Sequence, residues 1–483
     1  MANDPEIPGD GRAVRASSRQ SGSRFRPWLF RQRLRAMMQG ESLKSRLARG
    51  ATWSTAGSAV SQGSSLVMAI MVARLLGVEA FGRFVLVQST SLMLQSVGAL
   101  GLGLATIRLV ASLRSQDPAR AGRVIGFSLL FTLVSGSILT CLVLAVPASL
   151  IRSALGIDAL DGTMRLVGVI AFSEMLNRIQ ADVLIGLEAF AGMAGVCLVR
   201  GVLTLSLTAL GARAFGLPGA VAALAAASLI TCMLSQVVVR RACSRRAIAL
   251  TFRGVGSEYS VLGTSVFVTG SSLALAVVTW ILNVSLAHQA NGLAELAIFN
   301  AADRWRIAIL FLPGLLAQVS LPLLAHTQAQ MRGNAYRRLL IGTSSVGLAV
   351  ITIPVMIVTL LSPVLMAGYG DTFVQGKQVL VVLAMTCLPT SVCMVGAYGL
   401  WATGKTGTML VIDVVRASIA LLYCLLQASF AAYDLAVGTL FSYLVATPLI
   451  GLALWRTIES RATEGRLAGA AAGAEAAAGA GAA

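Results

Sequence analysis

Histidine is almost missing from this chain: His288 and His326 are the two copies among 483 residues, and their positions fit no metal-ligand spacing. Cysteine occurs seven times (Cys141, Cys197, Cys232, Cys243, Cys387, Cys393 and Cys424), yet no CxxC pair is present and most copies sit inside apolar runs. They read as small core residues, not as disulfides or metal ligands. Charged residues make up only 12% of the chain, and acids are outnumbered 38 to 20 by Lys and Arg. A polar stretch of some 50 residues precedes the first apolar run, and no A-x-A site follows a short one, so no cleavable signal is expected.

What is abundant is hydrophobicity, 56% of all residues, gathered into runs of about 20. That length spans ~30 Å of hydrocarbon as a helix. An outer-membrane barrel would instead show alternating segments of about 10 residues. The sequence therefore predicts an all-α integral membrane protein with about 12 spans. They fall near 51–74, 84–110, 124–150, 164–187, 190–212, 217–239, 259–285, 297–323, 339–362, 378–400, 408–431 and 434–455.

Charge orients them. Even-numbered gaps are basic, with Arg114, Arg120 and Arg123, then Arg240, Arg241, Arg245, Arg246 and Arg253, then Arg332, Arg337 and Arg338. Odd-numbered gaps are poor in Lys and Arg and carry Asp158, Asp161, Glu295, Asp371 and Asp434. The positive-inside rule then places both termini in the cytoplasm. The net charge of +18 is mostly this topology together with attraction to anionic membrane lipids, and calls for no nucleic acid. Residues 25–38, FRPWLFRQRLRAMM, fit either a basic amphipathic helix on the inner leaflet or an ordinary tail. The Ala/Gly-rich end, AGAAAGAEAAAGAGAA, reads as low-complexity and disordered.

The chain also repeats itself. RLVASLRSQDPARAGRVIG after the second span is echoed by LPLLAHTQAQMRGNAYRRLLIG after the eighth, and GLEAFAGMAGVCLVRG after the fourth by GLWATGKTGTMLVIDVVRA after the tenth. Arg200 and Arg416 then correspond, 216 positions apart. Six spans per unit keep both halves in the same sense, which predicts two six-helix lobes related by a parallel pseudo-two-fold axis, with a cavity between them. The implied organisation is a basic extension 1–50, a first lobe 51–239, a basic linker 240–258, a second lobe 259–455 and a tail 456–483. Gly399, Gly404, Lys405 and Thr406 match G-x-x-x-x-G-K-T, but they follow a membrane span and not a strand. A tight turn is expected there, and no ATP.

Charges inside the spans cost about 2.5–3.5 kcal/mol each and normally face a bundle interior or an aqueous path. Glu174, Arg178 and Asp182 follow i, i+4, i+8 and share one face of the fourth span, with the cation between two acids. Such a stripe either neutralises itself and docks the helix, or lines a path in which an acid carries a proton and Arg178 meets an anion. Arg200 in the fifth span, Asp413 and Arg416 in the eleventh, and Asp303, Arg304 and Arg306 in the eighth supply further charge. Arg304 and Arg306 are two apart and should diverge. Surplus arginine suits an anionic cargo, because the guanidinium forks onto phosphate. Asn177, Gln180, Gln88, Gln95, Asn283, Asn300 and Gln318 could add hydrogen bonds to hydroxyl-rich groups. The cavity candidates are Arg178, Arg200, Arg304, Arg416 and Asn177, and the ion-coupling candidates are Glu174, Asp182, Asp303 and Asp413. The tenth span reads CLPTSVC where the fourth has its charges, which assigns a coupling carboxylate to the first lobe. No metal or cofactor is expected.

The stretch ARLLGVEAFGRFVLVQS, residues 73–89, resembles the R-x-L-G-x-x-x-[FY]-G-x-[FY] signature of polysaccharide and O-antigen flippases in the multidrug/oligosaccharidyl-lipid/polysaccharide exporter superfamily. The GLEAF turn at Gly186 is similar to the turn those proteins carry between spans four and five. The resemblance implies a bacterial inner-membrane transporter that moves undecaprenyl-pyrophosphate-linked oligosaccharide to the periplasmic leaflet by alternating access. It also implies working contact with polysaccharide polymerase and export machinery. The signature residues Arg74, Leu76, Gly77, Phe81, Gly82 and Phe84 are expected to shape an outer turn and touch no substrate. A small-solute antiporter of the same superfamily would prefer a more acidic or aromatic cavity for cationic drugs. An integral-membrane polymerase or ligase would carry a long outer loop, and the odd-numbered gaps are short.

Overall fold

The computed structural model describes residues 43–99, 101–147, 149, 161–252, 266–329, 333–427 and 430–480. The segment 25–38 and part of the 240–258 linker lie outside them. The first lobe comprises α1 (Leu43–Leu76), α2 (Val78–Ala99), α3 (Leu102–Gln116), α4 (Pro118–Ala145), α5 (Asp161–Gly186) and α6 (Phe190–Ser244). The second comprises α7 (Val266–Ala287), α8 (Gly292–Ala329), α9 (Gly333–Leu360), the short α10 (Ser362–Ala367), a 3-10 turn at Asp371–Gly376, α11 (Lys377–Ala402), α12 (Thr406–Leu425) and α13 (Ala432–Ala480). No strand occurs among the described residues.

Twelve spans follow from these helices. Eight are long and apolar enough to cross a membrane, and α2 with α3 makes one more span, bent by 51°. The 55-residue α6 is really two spans, broken at Gly216. α5 and α8 complete the set; each is long enough but carries charges in its middle. Large apolar side chains such as Leu210 (63% exposed), Met233 (71%) and Leu360 (76%) face outward, as lipid-facing surface must. The helix α13 runs on to Ala480, which corrects the expectation of disorder in the Ala/Gly-rich end. Alanine has the highest helix propensity and extends a helix already nucleated by packing.

Gly216 has φ 62° and ψ −142°, a region open essentially to glycine alone, and Pro218 follows it. The chain reverses there, so the two halves of α6 pack against each other with Gly211 and Gly219 in close approach. Gly216→Ala should destabilise the protein by about 1–3 kcal/mol. Thermal unfolding of the purified protein checks this; an unchanged midpoint would show that the backbone there relaxes freely.

The repeat is visible in the helix boundaries. α5 and α11 start at 161 and 377 and end at 186 and 402, the same 216-residue offset at each end. Each is the hub of its lobe: α5 packs on α2, α3, α4 and α6, while α11 packs on α8, α9 and α13. Across the lobes, α2 packs against α7 and α8.

The two ends of the bundle differ. At the arginine-poor end one apolar core runs through both lobes, including Met68, Phe81, Phe84 and Leu86 from the first and Phe299, Phe373, Tyr369 and Leu380 from the second. Toward the arginine-rich end there are two separate cores. One holds Leu102, Ile125, Val183 and Val239, and the other Leu400, Met409, Ile450 and Leu454. Leu92 on α2 and Leu312 on α8 are 56% and 50% exposed. The interlobe space is therefore closed at the arginine-poor end and opens at the other.

At the arginine-rich end the GLEAF turn puts Glu188 in the left-handed region (φ 52°), and Arg114 holds its carboxylate at 2.5 Å. Gly399, Gly404, Lys405 and Thr406 form the expected helix-to-helix turn, closed by bonds from Gly404 N to Trp401 O and Lys405 N to Leu400 O. Helices, not a strand and a helix, flank this turn among the described residues.

Candidate functional site

Where α1, α2, α5, α6 and α8 meet, they line an open cavity of about 330 Å³. Ser61, Ser64 and Ser65 come from α1, Gln88, Ser91 and Gln95 from α2, Glu174 from α5, Arg200 and Thr204 from α6, and Arg304 from α8. The α1 serines recur at helical spacing, so the helix turns one small polar stripe inward. Small residues also bring α1 and α6 close: a side chain on Gly57 would meet Ala194, and one on Gly201 would meet Ser64.

Glu174 does not pair with Arg178. Its Oε2 accepts from Arg200 Nη2 at 2.6 Å, joining α5 to α6. The stripe read from the sequence is therefore split, because a partner on another helix comes closer than one a turn away on the same helix. Among the described residues Arg178 pairs with Asp182, at 3.8 Å; its side chain is 74% exposed while that of Asp182 is 9% exposed. Asp182 turns back against α3, where a side chain on Gly103 would collide with its carboxylate. Asp182 therefore lies off the cavity.

Arg304 is the unusual group. Its Nη2 donates to Gln88 Oε1 at 2.9 Å and its Nη1 to Ser65 Oγ at 3.2 Å, both neutral acceptors. Gln88 lies 216 positions before Arg304, so the two are counterparts in the repeat and meet on the interlobe axis. Trp280 Nε1 donates to Thr90 Oγ1 at 3.0 Å across the same junction. With Glu174 and Arg200 cancelling each other, Arg304 keeps the cavity net positive.

A second polar chamber, about 140 Å³, lies inside the second lobe and is lined by Thr279, Asn283, Asp303, Arg306, Arg416 and Tyr443, among others. Arg306 pairs with Asp303 at 2.5 Å. Arg416 pairs with Asp413 at 3.1 Å, and its guanidinium carbon sits 4.4 Å from the centre of the Tyr443 ring. Two acids offset two arginines, so this chamber is neutral overall. Asn283 Oδ1 is buried there without a hydrogen-bond partner among the described residues.

Three expectations change. Asn177 is no cavity group: it is 5% exposed, and its amide donates to Ser228 O at 3.0 Å between α5 and α6. The second lobe has ion-paired carboxylates of its own, the part-buried Asp303 and the buried Asp413, contributed by the eighth and eleventh spans and not the tenth. Arg200, Arg306 and Arg416, read as surplus, each have an acid close by. Arg304 and Arg306 do diverge, one to the interlobe cavity and the other into its own lobe. Tyr443 escaped the sequence reading, since a lone tyrosine in an apolar span carries no spacing signal.

The family model described as polysaccharide biosynthesis protein matches residues 47–328. A search of curated proteins finds no match. Among solved structures, the inward-facing conformation of a multidrug resistance MATE family transporter of the MOP superfamily aligns with a TM-score of 0.65 at 17% identity, covering 90% of this chain and 99% of that one. The outward-facing conformation of such a transporter aligns with 0.65 at 18%, covering 88% and 98%. A MOP superfamily transporter from Pyrococcus furiosus, noted for reversed polarity of its binding pocket, aligns with 0.65 at 16%, covering 88% and 98%. With more than half of its length matched by the family model, this chain belongs to the polysaccharide biosynthesis protein family, a multi-pass membrane protein with the fold of MOP superfamily transporters.

Proposed function

We propose that the chain is a flippase, not an enzyme. It moves lipid-linked oligosaccharide, an undecaprenyl-pyrophosphate-linked repeat unit for O-antigen or exopolysaccharide, from the cytoplasmic to the periplasmic leaflet of a bacterial inner membrane. The observation that carries the reading is Arg304, a guanidinium held by neutral groups in a hydroxyl- and amide-lined cavity on the interlobe axis. A fork of donors without an acid beside it is the group a pyrophosphate needs, and serine and glutamine side chains suit sugars. A cationic drug would be repelled by the same charge.

The arginine-rich end is assigned to the cytoplasm, with both termini there. The interlobe space then opens toward the leaflet on which the lipid-linked unit is made, and the exposed Arg178 is a further cation for an anionic cargo. The export and polymerising machinery that takes the unit onward is the natural partner.

Deleting the protein tests this directly: lipid-linked oligosaccharide should accumulate on the cytoplasmic leaflet. If the repeat unit still reached the periplasm and was polymerised there, the reading would fail. Arg178→Ala and Arg200→Ala should each lower transport about tenfold, equivalent to ~1.4 kcal/mol, with the protein still in the membrane. Arg200→Ala also strands Glu174 as a free anion beside an anionic cargo. Variants present in the membrane and fully active would assign both arginines to packing.

A further inference from the structure

We propose that the R-x-L-G-x-x-x-F-G-x-F stretch is the latch of a gate that holds the two lobes together at the arginine-poor end, with Arg74 and Gly82 as its working residues. Sequence reasoning expects these residues only to shape a turn. The structure puts them across the lobe boundary.

Arg74 closes α1. Its Nε donates to the carbonyl of Gly368 at 2.5 Å and its Nη2 to that of Ala367 at 3.4 Å, 294 and 293 residues away in the second lobe. Those carbonyls lie at the C-terminal end of the short helix α10, which favours a cation, and that of Ala367 also accepts from Gly370 N at 3.1 Å. Gly82, near the start of α2, sits against the backbone of Leu293 at the start of α8, so closely that any side chain would run into the Leu293 carbonyl. Two backbones from opposite lobes touch there, which only glycine permits.

Between these two contacts lies a sealed aromatic layer. Phe81 meets Phe373 edge-on at 6.1 Å between centroids, and Phe373 meets Tyr369 at 5.6 Å. None of the three is more than 2% exposed. The layer roofs the interlobe space, beyond which the lobes have separate cores.

The closure is also built to release. Arg74 is exposed, so opening exchanges its two bonds for bonds to water at little cost. The Tyr369 hydroxyl is buried with no hydrogen-bond partner among the described residues, and it regains one when the layer parts. A seal held by a surface latch, with an unsatisfied group inside it, suits a gate that cycles better than a permanent seam.

The inference rests on the transport reading only for what the gate serves, and its test needs no cargo. Spin labels on the full chain in lipid nanodiscs, in a version whose native cysteines are replaced, report two distances. Glu79→Cys with Thr372→Cys spans the arginine-poor end, and Gln116→Cys with Arg337→Cys spans the other. Arg74→Gln and Gly82→Leu are each expected to shift the 79–372 distribution to longer distances and the 116–337 distribution to shorter ones. Gly82→Ser replaces the leucine variant if that one does not fold. If both distributions stay as in the parent for the Arg74 and Gly82 variants alike, the latch assignment is overturned. Shifted distances in a protein that moves no lipid-linked oligosaccharide would keep the latch and reject the flippase.

Discussion

Arg304→Ala should abolish most of the transport while leaving the protein folded in the membrane. A hydrogen bond to a charged group contributes about 1.5–3 kcal/mol, and each 1.4 kcal/mol is a factor of ten, so the expected loss is roughly 10- to 100-fold. Among the described residues its hydrogen bonds go to Gln88 and Ser65, both neutral, so removing it strands no paired acid. The folding cost should therefore be small and the functional cost large. Arg304→Lys is expected to recover part of the rate, because lysine restores the charge but not the planar fork. Proteoliposomes loaded with labelled lipid-linked oligosaccharide measure the rate, and an immunoblot of the membrane fraction measures the amount of protein. A fully active Arg304→Ala would remove the main support for an anionic cargo.

The opposite balance is expected at the second lobe's chamber. Asp413 and Arg416 are 7% and 15% exposed at their side chains, so Asp413→Ala leaves a largely buried guanidinium beside the Tyr443 ring without its acid. Breaking a buried pair in this way costs about 3–5 kcal/mol, whereas replacing both partners with apolar groups of similar volume is often neutral. Asp413→Ala should lower the thermal midpoint by several degrees, and Asp413→Ala combined with Arg416→Met should recover most of it. The comparison separates two roles. If the double variant is stable and still transports, the pair is structural; if it is stable and inactive, the pair serves the cycle. A single variant as stable as the parent would mean that water reaches Arg416 freely.

Much of the architecture is legible in the chain because it rests on local rules. A run of about 20 apolar residues must become a helix in hydrocarbon, where every backbone group needs a partner within its own segment. The same holds for the repeat: Arg200 and Arg416 announce the 216-residue offset that the boundaries of α5 and α11 repeat. The Ala/Gly tail is helical as far as Ala480, since the helix propensity of alanine outweighs its low complexity.

The pairing of charges was not legible, and Glu174 shows why. On its own helix the nearest cation is Arg178, one turn away, and helical spacing favours that pair. In the folded lobe α6 brings Arg200 to 2.6 Å, which spacing within α5 cannot reveal. Asn177 likewise faces α6 and not the cavity, a matter of which side of α5 each neighbouring helix covers. Apolar periodicity could not show this, since α5 is surrounded on most sides and has no single greasy face.

Span count, lobe repeat and the type of charge in the interior thus follow from the order of residues, because hydrocarbon thickness and the helix rise act on each segment separately. Which arginine stays unpaired, where Arg74 and Gly82 make contact and which end of the bundle is shut depend on helices more than 200 positions apart. Those are properties of packing between segments, and no single segment carries them.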